Sequence, residues 1–460
     1  MSGKCACGVL QVLALVFSGA IPSPGQTALT LSQAVDGALR NYPSIRVTQE
    51  QMNAAAAGIR LAQTAYLPRV DGMAQINRAT RNTFYGLLLP QSVIPGVDGI
   101  PANNTGSVWD SGLGVLVTWQ PFDFGLRAAN VATATAARDR AQATTNRTRY
   151  DVSVATADAF LTVVAAEQTA QAARAAVDSW QILSKTIHAL VEAQLRPGAD
   201  ESRVQAELAA AQVQVAQAEQ AIDVARSTVA QFVGIDPSQI NVSGGKLAEQ
   251  LPAERPEPPL EAAANPVAME QNAVIAQAQS QLKATERTYE PQFFVQGLAA
   301  ARETGLLSDG ARLGGLNGLG PTVQNYGVGL TVTFPAMDRF AIREQEAIES
   351  ANIRASQAQY QVTAVGLQAG FNAALAMLNG ARRVAANTTI EVSSARTALQ
   401  QATARYQSGL APIDDVAQDQ RLLVQAQIDD ALARLNVWRA KLQLATARGD
   451  IQPFLAEASQ

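Results

Sequence analysis

Cysteine and histidine are almost missing from this chain. Its 460 residues hold two cysteines, Cys5 and Cys7, and one histidine, His188. Both cysteines precede an apolar run, Val9 to Phe17, broken only by Gln11. The run follows Lys4 and leads into the small residues Ser18, Gly19 and Ala20. A positive residue, an apolar stretch and then small residues form a secretory leader, expected over residues 1–20. A lipid-anchoring cysteine would follow such a run, not precede it. Beyond the leader the chain has no cysteine, which excludes disulfides, thiolate catalysis and Cys/His zinc sites.

Other scarcities narrow the field further. Aromatics are 5% against 47% hydrophobic residues, so the apolar content is mostly Ala, Val and Leu, which suits closely packed helices. With 35 basic and 39 acidic residues the net charge is −4, which gives no electrostatic reason to expect a nucleic-acid partner. Past the leader no uninterrupted apolar stretch is long enough for a transmembrane helix, yet an exported chain can still cross an outer membrane as a β-barrel. No glycine-rich phosphate loop follows a strand; the glycines at 314–320 read as a flexible external loop. His188 lies in a helical run without a nucleophile nearby, and a lone helical histidine is more often packed or solvated than catalytic. Nothing points to an enzyme, a metal or a cofactor.

What the chain does contain is a duplicated plan. Pro43 and Pro266, Pro68 and Pro291, Pro121 and Pro335, and Gly198 and Gly409 recur in the same order, with an offset that drifts by a few residues. The first copy is expected over 29–234, the second over 263–449. An irregular segment, 235–262, rich in proline, separates them, and a tail of similar character, 450–460, follows.

Each copy opens with a helical run, 44–67 and 267–290, that stops at a proline. Two strands follow, expected at about 68–80 and 108–120, then 291–302 and 323–334. The clearest alternates Tyr326, Val328, Leu330, Val332 and Phe334 with Gly327, Gly329, Thr331 and Thr333. Period two with one apolar and one small or polar face fits a lipid-facing barrel strand or a half-buried soluble one. The connections 81–107 and 303–322 are long. Then come very long helices, 122–197 and 336–409, of coiled-coil length. Each reverses at a glycine turn into a return helix, 199–233 and 412–448. An opening helix stacked on a return helix nearly matches one long helix, which describes a pillar with strands at one end and hairpin turns at the other.

These residues resemble the TolC-type outer membrane efflux family over about 29–450. The resemblance rests on L-S-x-A-V-x-x-A-L-x-x-N-Y-P from Leu31 to Pro43, on the Tyr-x-Pro entries into strands, and on R-Y-Q-S-G-L-A-P-I-D-D-V at 405–416. It implies a mainly α fold with membrane β: a long α-helical periplasmic barrel, and four strands per chain contributing to a trimeric twelve-stranded outer-membrane β-barrel. It implies a conduit for small molecules or secreted proteins, docked through a periplasmic adaptor (membrane fusion) protein to an inner-membrane pump of the RND, ABC or MFS class. The competing reading is a periplasmic adaptor or structural envelope protein, which would carry one helical hairpin flanked by β-rich modules.

The same resemblance assigns residues. Gly198 and Gly409 are the tip glycines, flanked by Leu195, Arg196, Leu410 and Ala411 at the adaptor surface; as plain helix caps they need no such role. Pro121 and Pro335 are the strand-to-helix swivels. Asp415, with Asp414 beside it, matches an acidic ring at the tunnel constriction, and dipole stabilisation at a helix N-terminus accounts for it equally. Gln418 stands where a second acid is sometimes found, and Ala411 where a gating arginine sometimes sits.

Overall fold

The computed structural model describes residues 28–80, 106–307 and 311–459. The expected leader, 1–20, and most of the connection 81–107 lie outside the described residues.

The first copy runs α1 (Leu31–Asn41), α2 (Pro43–Gln63), β1 (Arg69–Thr80), β2 (Ser107–Phe122), α3 (Leu126–Glu192) and α4 (Gly198–Val233). A short helix α5 (Gly245–Glu249) sits in the connecting segment. The second copy runs α6 (Pro266–Arg287), β3 (Gln292–Thr304), β4 (Val323–Thr333), α7 (Arg339–Gln407) and α8 (Ile413–Arg448), and α9 (Gln452–Ser459) closes the described chain.

Several boundaries differ from those expected, and the main differences have physical reasons. The opening helix expected over 44–67 is α2, started by Pro43, where its missing N–H costs nothing, and ending at Gln63; a separate helix, α1, precedes it and stops before Tyr42, because Pro43 forces the residue before it into an extended conformation. The first long helix begins at Leu126, not 122, because Phe124 and Gly125 both take positive φ and end the strand abruptly. It stops at Glu192, short of 197, because Gln194 is left-handed. The tail expected to be irregular is helical: α9 carries Pro453 in its first turn, where proline is tolerated, and buries Phe454 and Leu455.

Helices α3 and α7, of 67 and 69 residues, run the length of the pillar, roughly 100 Å at 1.5 Å per residue. Beside the sheet the order around the pillar is α2, α3, α6, α7; towards the hairpin turns it is α4, α3, α8, α7. The seams are small-residue heptads. Val204, Ala211, Ala218 and Ala225 are buried along α4, and Ala426, Ala433 and Ala440 along α8. Alanine at these positions lets backbones approach closely and leaves a thin wall in place of a thick core.

The largest core sits at the waist. Phe160, Leu161, Val163 and Val164 of α3 meet Leu31 and Val35 of α1, Val229 and Val233 of α4, and Ile240, Val242 and Leu247 of the connecting segment. Trp438 of α8 is fully buried there, with its Nε1 donating to the Gln250 carbonyl at 2.9 Å and its ring edge-on to Phe454. Lys441 pairs with Glu457 of α9. The C-terminal helix is thereby fastened to the collar that girdles the pillar.

The four strands form one antiparallel sheet in the order β1-β2-β3-β4. Directly opposed residues share a face. One row reads Val70, Val117, Gly297, Val328; the next reads Gly72, Val115, Ala299, Tyr326. On the other face one row reads Met73, Gly114, Ala300, Asn325, and another reads Arg69, Thr118, Gln296, Gly329. The register therefore gathers the apolar side chains on one side and mostly small or polar ones on the other. The apolar side is open: Tyr326 is 92% and Val328 84% exposed. Among the described residues β1 and β4 each keep one edge unpaired.

Candidate functional site at the hairpin tips

Both long helices end in the same backbone device. After α3, the Gln194 N–H donates to Val191 and the Leu195 N–H reaches back to Leu190; after α7, the Gly409 N–H donates to Tyr406 and the Leu410 N–H reaches back to Arg405. In each the residue that turns the chain is left-handed, Gln194 at φ 60° and Gly409 at φ 73°. Pro197 and Pro412 then start the return helices. The true equivalents are Gln194 with Gly409, Leu195 with Leu410, Arg196 with Ala411, Pro197 with Pro412 and Gly198 with Ile413.

This corrects the matching of Gly198 to Gly409. Gly198 is the first residue of α4, with ordinary helical geometry, and does not make the turn. The sequence reading followed glycine, the usual left-handed residue, and here glutamine holds that place at a conformational cost. The shared L-x-P run, Leu195 to Pro197 and Leu410 to Pro412, carried the right register. It sets Asp200 opposite Asp415, so both return helices carry an acid in the same place of the first turn.

The expected tip residues divide in two. Leu195 and Leu410 project from the turns, 69% and 72% exposed. Ala411 is buried and Arg196 folds back across the other hairpin. The Arg196 guanidinium lies 4.3 Å from the centre of the Tyr406 ring and donates to the Tyr406 carbonyl. The Tyr406 hydroxyl donates to an Asp200 carboxylate oxygen at 3.0 Å. Burial, together with the hydrogen bond it gives to Asp200, pushes the Tyr406 phenol up to about 12, so it stays a donor. Its ring fills a core with Trp180, Ile187, Val204, Ile413 and Val416. Tyr406 and Asp200 thus tie α7 to α4, with Arg196 closing the cluster from above.

A second set of charges joins α4 to α8. Arg203 of α4 reaches Asp414 of α8 at 3.3 Å, and Glu207 of α4 lies 3.7 Å from Arg203 and 3.6 Å from Arg421 of α8. Asp414 is therefore partly neutralised across the hairpins. Asp415 is half-buried and, among the described residues, has no ion-pair partner; Gln418 is exposed one turn further along.

At the other end of the pillar the two prolines expected as swivels differ. Pro121 lies inside β2, in the irregular stretch between Trp119 and Phe122 where pairing with β3 shifts register; a residue without an N–H fits such a bulge. The actual corner is Asp123 to Gly125. There Asp123 accepts from the Arg127 backbone at 2.7 Å and pairs with the Arg127 side chain at 2.8 Å, both side chains buried. Burial opposes ionisation of Asp123, but the Arg127 and Gly125 bonds hold its pKa below the usual carboxylate range. The same guanidinium lies 4.6 Å from the Tyr66 ring centre. Pro335 does lie between β4 and α7, followed by an open corner where Arg339 sits 5.7 Å from the Tyr289 ring. Phe122, Phe124 and Phe293 cluster at this level, as do Tyr289 and Phe334.

Among the described residues no three His, Cys, Asp or Glu side chains converge as a metal site, and no helix is long and apolar enough to cross a membrane. A cavity of about 620 Å³ is an open groove between α3 and α4 lined by Glu167, Arg174, Glu219 and Arg226, and its arginines are already paired with its glutamates.

Comparison with known proteins adds three findings. The family profile described as "Outer membrane efflux protein" matches residues 34–235 and 260–450, two segments that follow the duplication. Protein CyaE of Bordetella pertussis is 30% identical over 227 residues, covering 48% of this chain and 43% of that protein. The fold is that of solved outer-membrane channels. The Campylobacter jejuni CmeC outer membrane channel superposes with a TM-score of 0.70 at 15% identity, over 94% of this chain and 89% of that one. CusC superposes with a TM-score of 0.75 at 13% identity, over 91% and 92%.

Proposed function

The chain belongs to the outer membrane efflux protein family, and from that premise we propose that three copies close into a tunnel whose inner end is shut by the hairpin tips. As a family member it is an outer-membrane efflux or secretion channel, with the helical pillar extending into the periplasm. The observation that carries the trimer is the sheet. One face is apolar and open, and two edges lack partners. Four strands cannot close on themselves, and an open sheet edge is untenable in lipid, so β4 of one copy pairs with β1 of the next. A periplasmic adaptor does not need such a face.

Leu195 and Leu410 at the turns form the docking surface for a periplasmic adaptor, which links the tunnel to an inner-membrane pump. Arg196, Tyr406 and Asp200 are the latch that holds the two hairpins of one chain together at the narrow end. Arg196 supplies from the first hairpin the positive charge that Ala411 does not. Asp415 of each copy faces the constriction and favours cations. Asp123 to Gly125 in the first copy and the stretch that begins at Pro335 in the second mark the two places where the barrel turns into the pillar.

Detergent-extracted protein is expected as a trimer in the outer-membrane fraction and as an ion-conducting pore in planar bilayers; a monomer that stays soluble after leader cleavage would overturn the reading. Tyr406→Phe is expected to raise conductance several-fold. Asp415→Ala is expected to reduce cation selectivity, and unchanged currents would leave Asp415 only its dipole role.

A further inference from the structure

The chain's one histidine stands at the tip. His188 lies in the last turns of α3, with its ring between carboxylates of two helices: Nδ1 is 2.7 Å from Glu201 Oε1 on α4, and Nε2 is 3.4 Å from Glu192 Oε1 on α3 itself. Glu201 is the better held of the two, 24% exposed against 71% for Glu192, and it also accepts from Gln205 at 3.2 Å. Glu201 follows Asp200, the acceptor for Tyr406, in the first turn of α4.

We infer that His188 is a protonation-operated clasp: as imidazolium it binds Glu201 and Glu192 together, pins the first turn of α4, and so keeps Asp200 in place for Tyr406. The inference rests on the latch reading of the tip. The chemistry is asymmetric between the two protonation states. Imidazolium donates from both nitrogens, one to each carboxylate. Neutral imidazole has one N–H, so a lone pair must then face one of the two anions, and that contact turns repulsive.

The charged groups in contact with the ring are Glu192 on α3 and Glu201 on α4. Among the described residues no ion pair joins it to α7 or α8. The hydrogen bond to Glu201, then the charges of Glu192 and Glu201, raise the imidazole's pKa above its ordinary value. A raised value fixes the sign. The clasp is complete below about pH 6.5 and is lost as pH rises through the raised value. The tip is therefore held more firmly in acid and loosened at neutral to alkaline pH. Because the pair is exposed, the effect is small and fades with salt.

The test uses full-length trimers in planar bilayers, with the open fraction measured across about pH 5 to 8.5. The native channel is expected to open about two- to fivefold more at the alkaline end, the range an exposed pair supports. His188→Gln should flatten that profile, and Tyr406→Phe should open the channel at every pH. A His188→Gln channel that keeps the native pH profile, while Tyr406→Phe still opens it, overturns the clasp and leaves the latch standing. A Tyr406→Phe channel no more open than the native one overturns the latch, and the clasp's control of it. The single histidine also gives one titrating signal in isotope-labelled protein. Its midpoint should lie above about 6.5 and fall toward that value in Glu201→Gln; a midpoint already at the free value overturns the clasp whatever the currents do.

Discussion

Tyr406 does three separable jobs. Its ring fills the tip core, its face carries the Arg196 guanidinium, and its hydroxyl ties α7 to Asp200. Tyr406→Phe removes only the last, a loss of about 1 kcal/mol per chain, so the channel should leak while its unfolding midpoint falls only slightly. Tyr406→Ala removes all three and should cost about 3–5 kcal/mol, visible as a lower unfolding midpoint by far-ultraviolet circular dichroism. Asp123 makes the converse case at the other end of the pillar. Asp123→Ala strands the buried Arg127 charge and should cost about 3–5 kcal/mol. Since the Asp123 pKa is depressed, its contribution is present above the ordinary carboxylate value near 3.9 and is lost as pH falls through the depressed one. Acid should therefore narrow the difference in unfolding midpoint between the native chain and Asp123→Ala. Neither Asp200 nor Asp123 drew notice in the sequence. Asp200 acts through Tyr406, distant in the chain, and spacing alone does not reveal a contact between different helices; Asp123 pairs with Arg127 only four residues on, across a corner made by the positive φ of Phe124 and Gly125.

At the scale of the element, the two hairpins are alike in backbone and unlike in spelling. Gly409 is left-handed, so Gly409→Ala should destabilise its hairpin by about 1 kcal/mol. Gly198 is helical with open space around it, so Gly198→Ala should be neutral or stabilise by about 0.4–1 kcal/mol. Opposite shifts in the unfolding midpoints of the two variants would bear out the corrected register; equal shifts would refute it. The long helices and the strands were legible because each repeats a period many times over. The turns were not, because a turn is decided by one residue's φ, and Gln194 does not advertise a positive one. The C-terminal helix was hidden for a related reason: its eight residues are too few to display a period, and its proline reads as a breaker until Phe454 is seen against Trp438.

For the whole molecule, the sheet register makes the two faces differ in what they tolerate. Val328→Arg puts a charge on the apolar face and should cost about 2–4 kcal/mol near the bilayer centre, lowering the yield of trimers in the outer-membrane fraction. Thr331→Arg, on the opposite face of the same strand, should assemble normally and shift the conductance toward anions. The alternation along β4 was plain in the sequence. That all four strands align their apolar residues was not, since register depends on pairings between segments separated by the long helices.

The unpaired edges of β1 and β4 also set the order in which the protein can be built. A lone copy in the periplasm has a helical pillar that water can solvate, and beside it a sticky ribbon with two open sides. Every encounter between copies before insertion risks the wrong edge-to-edge pairing or an endless chain in place of a ring. In the proposed trimer, maturation should therefore slow sharply when the sheet is made to pair early, and the helical part should reach its fold first, serving as the jig that brings three ribbons into register before lipid seals them.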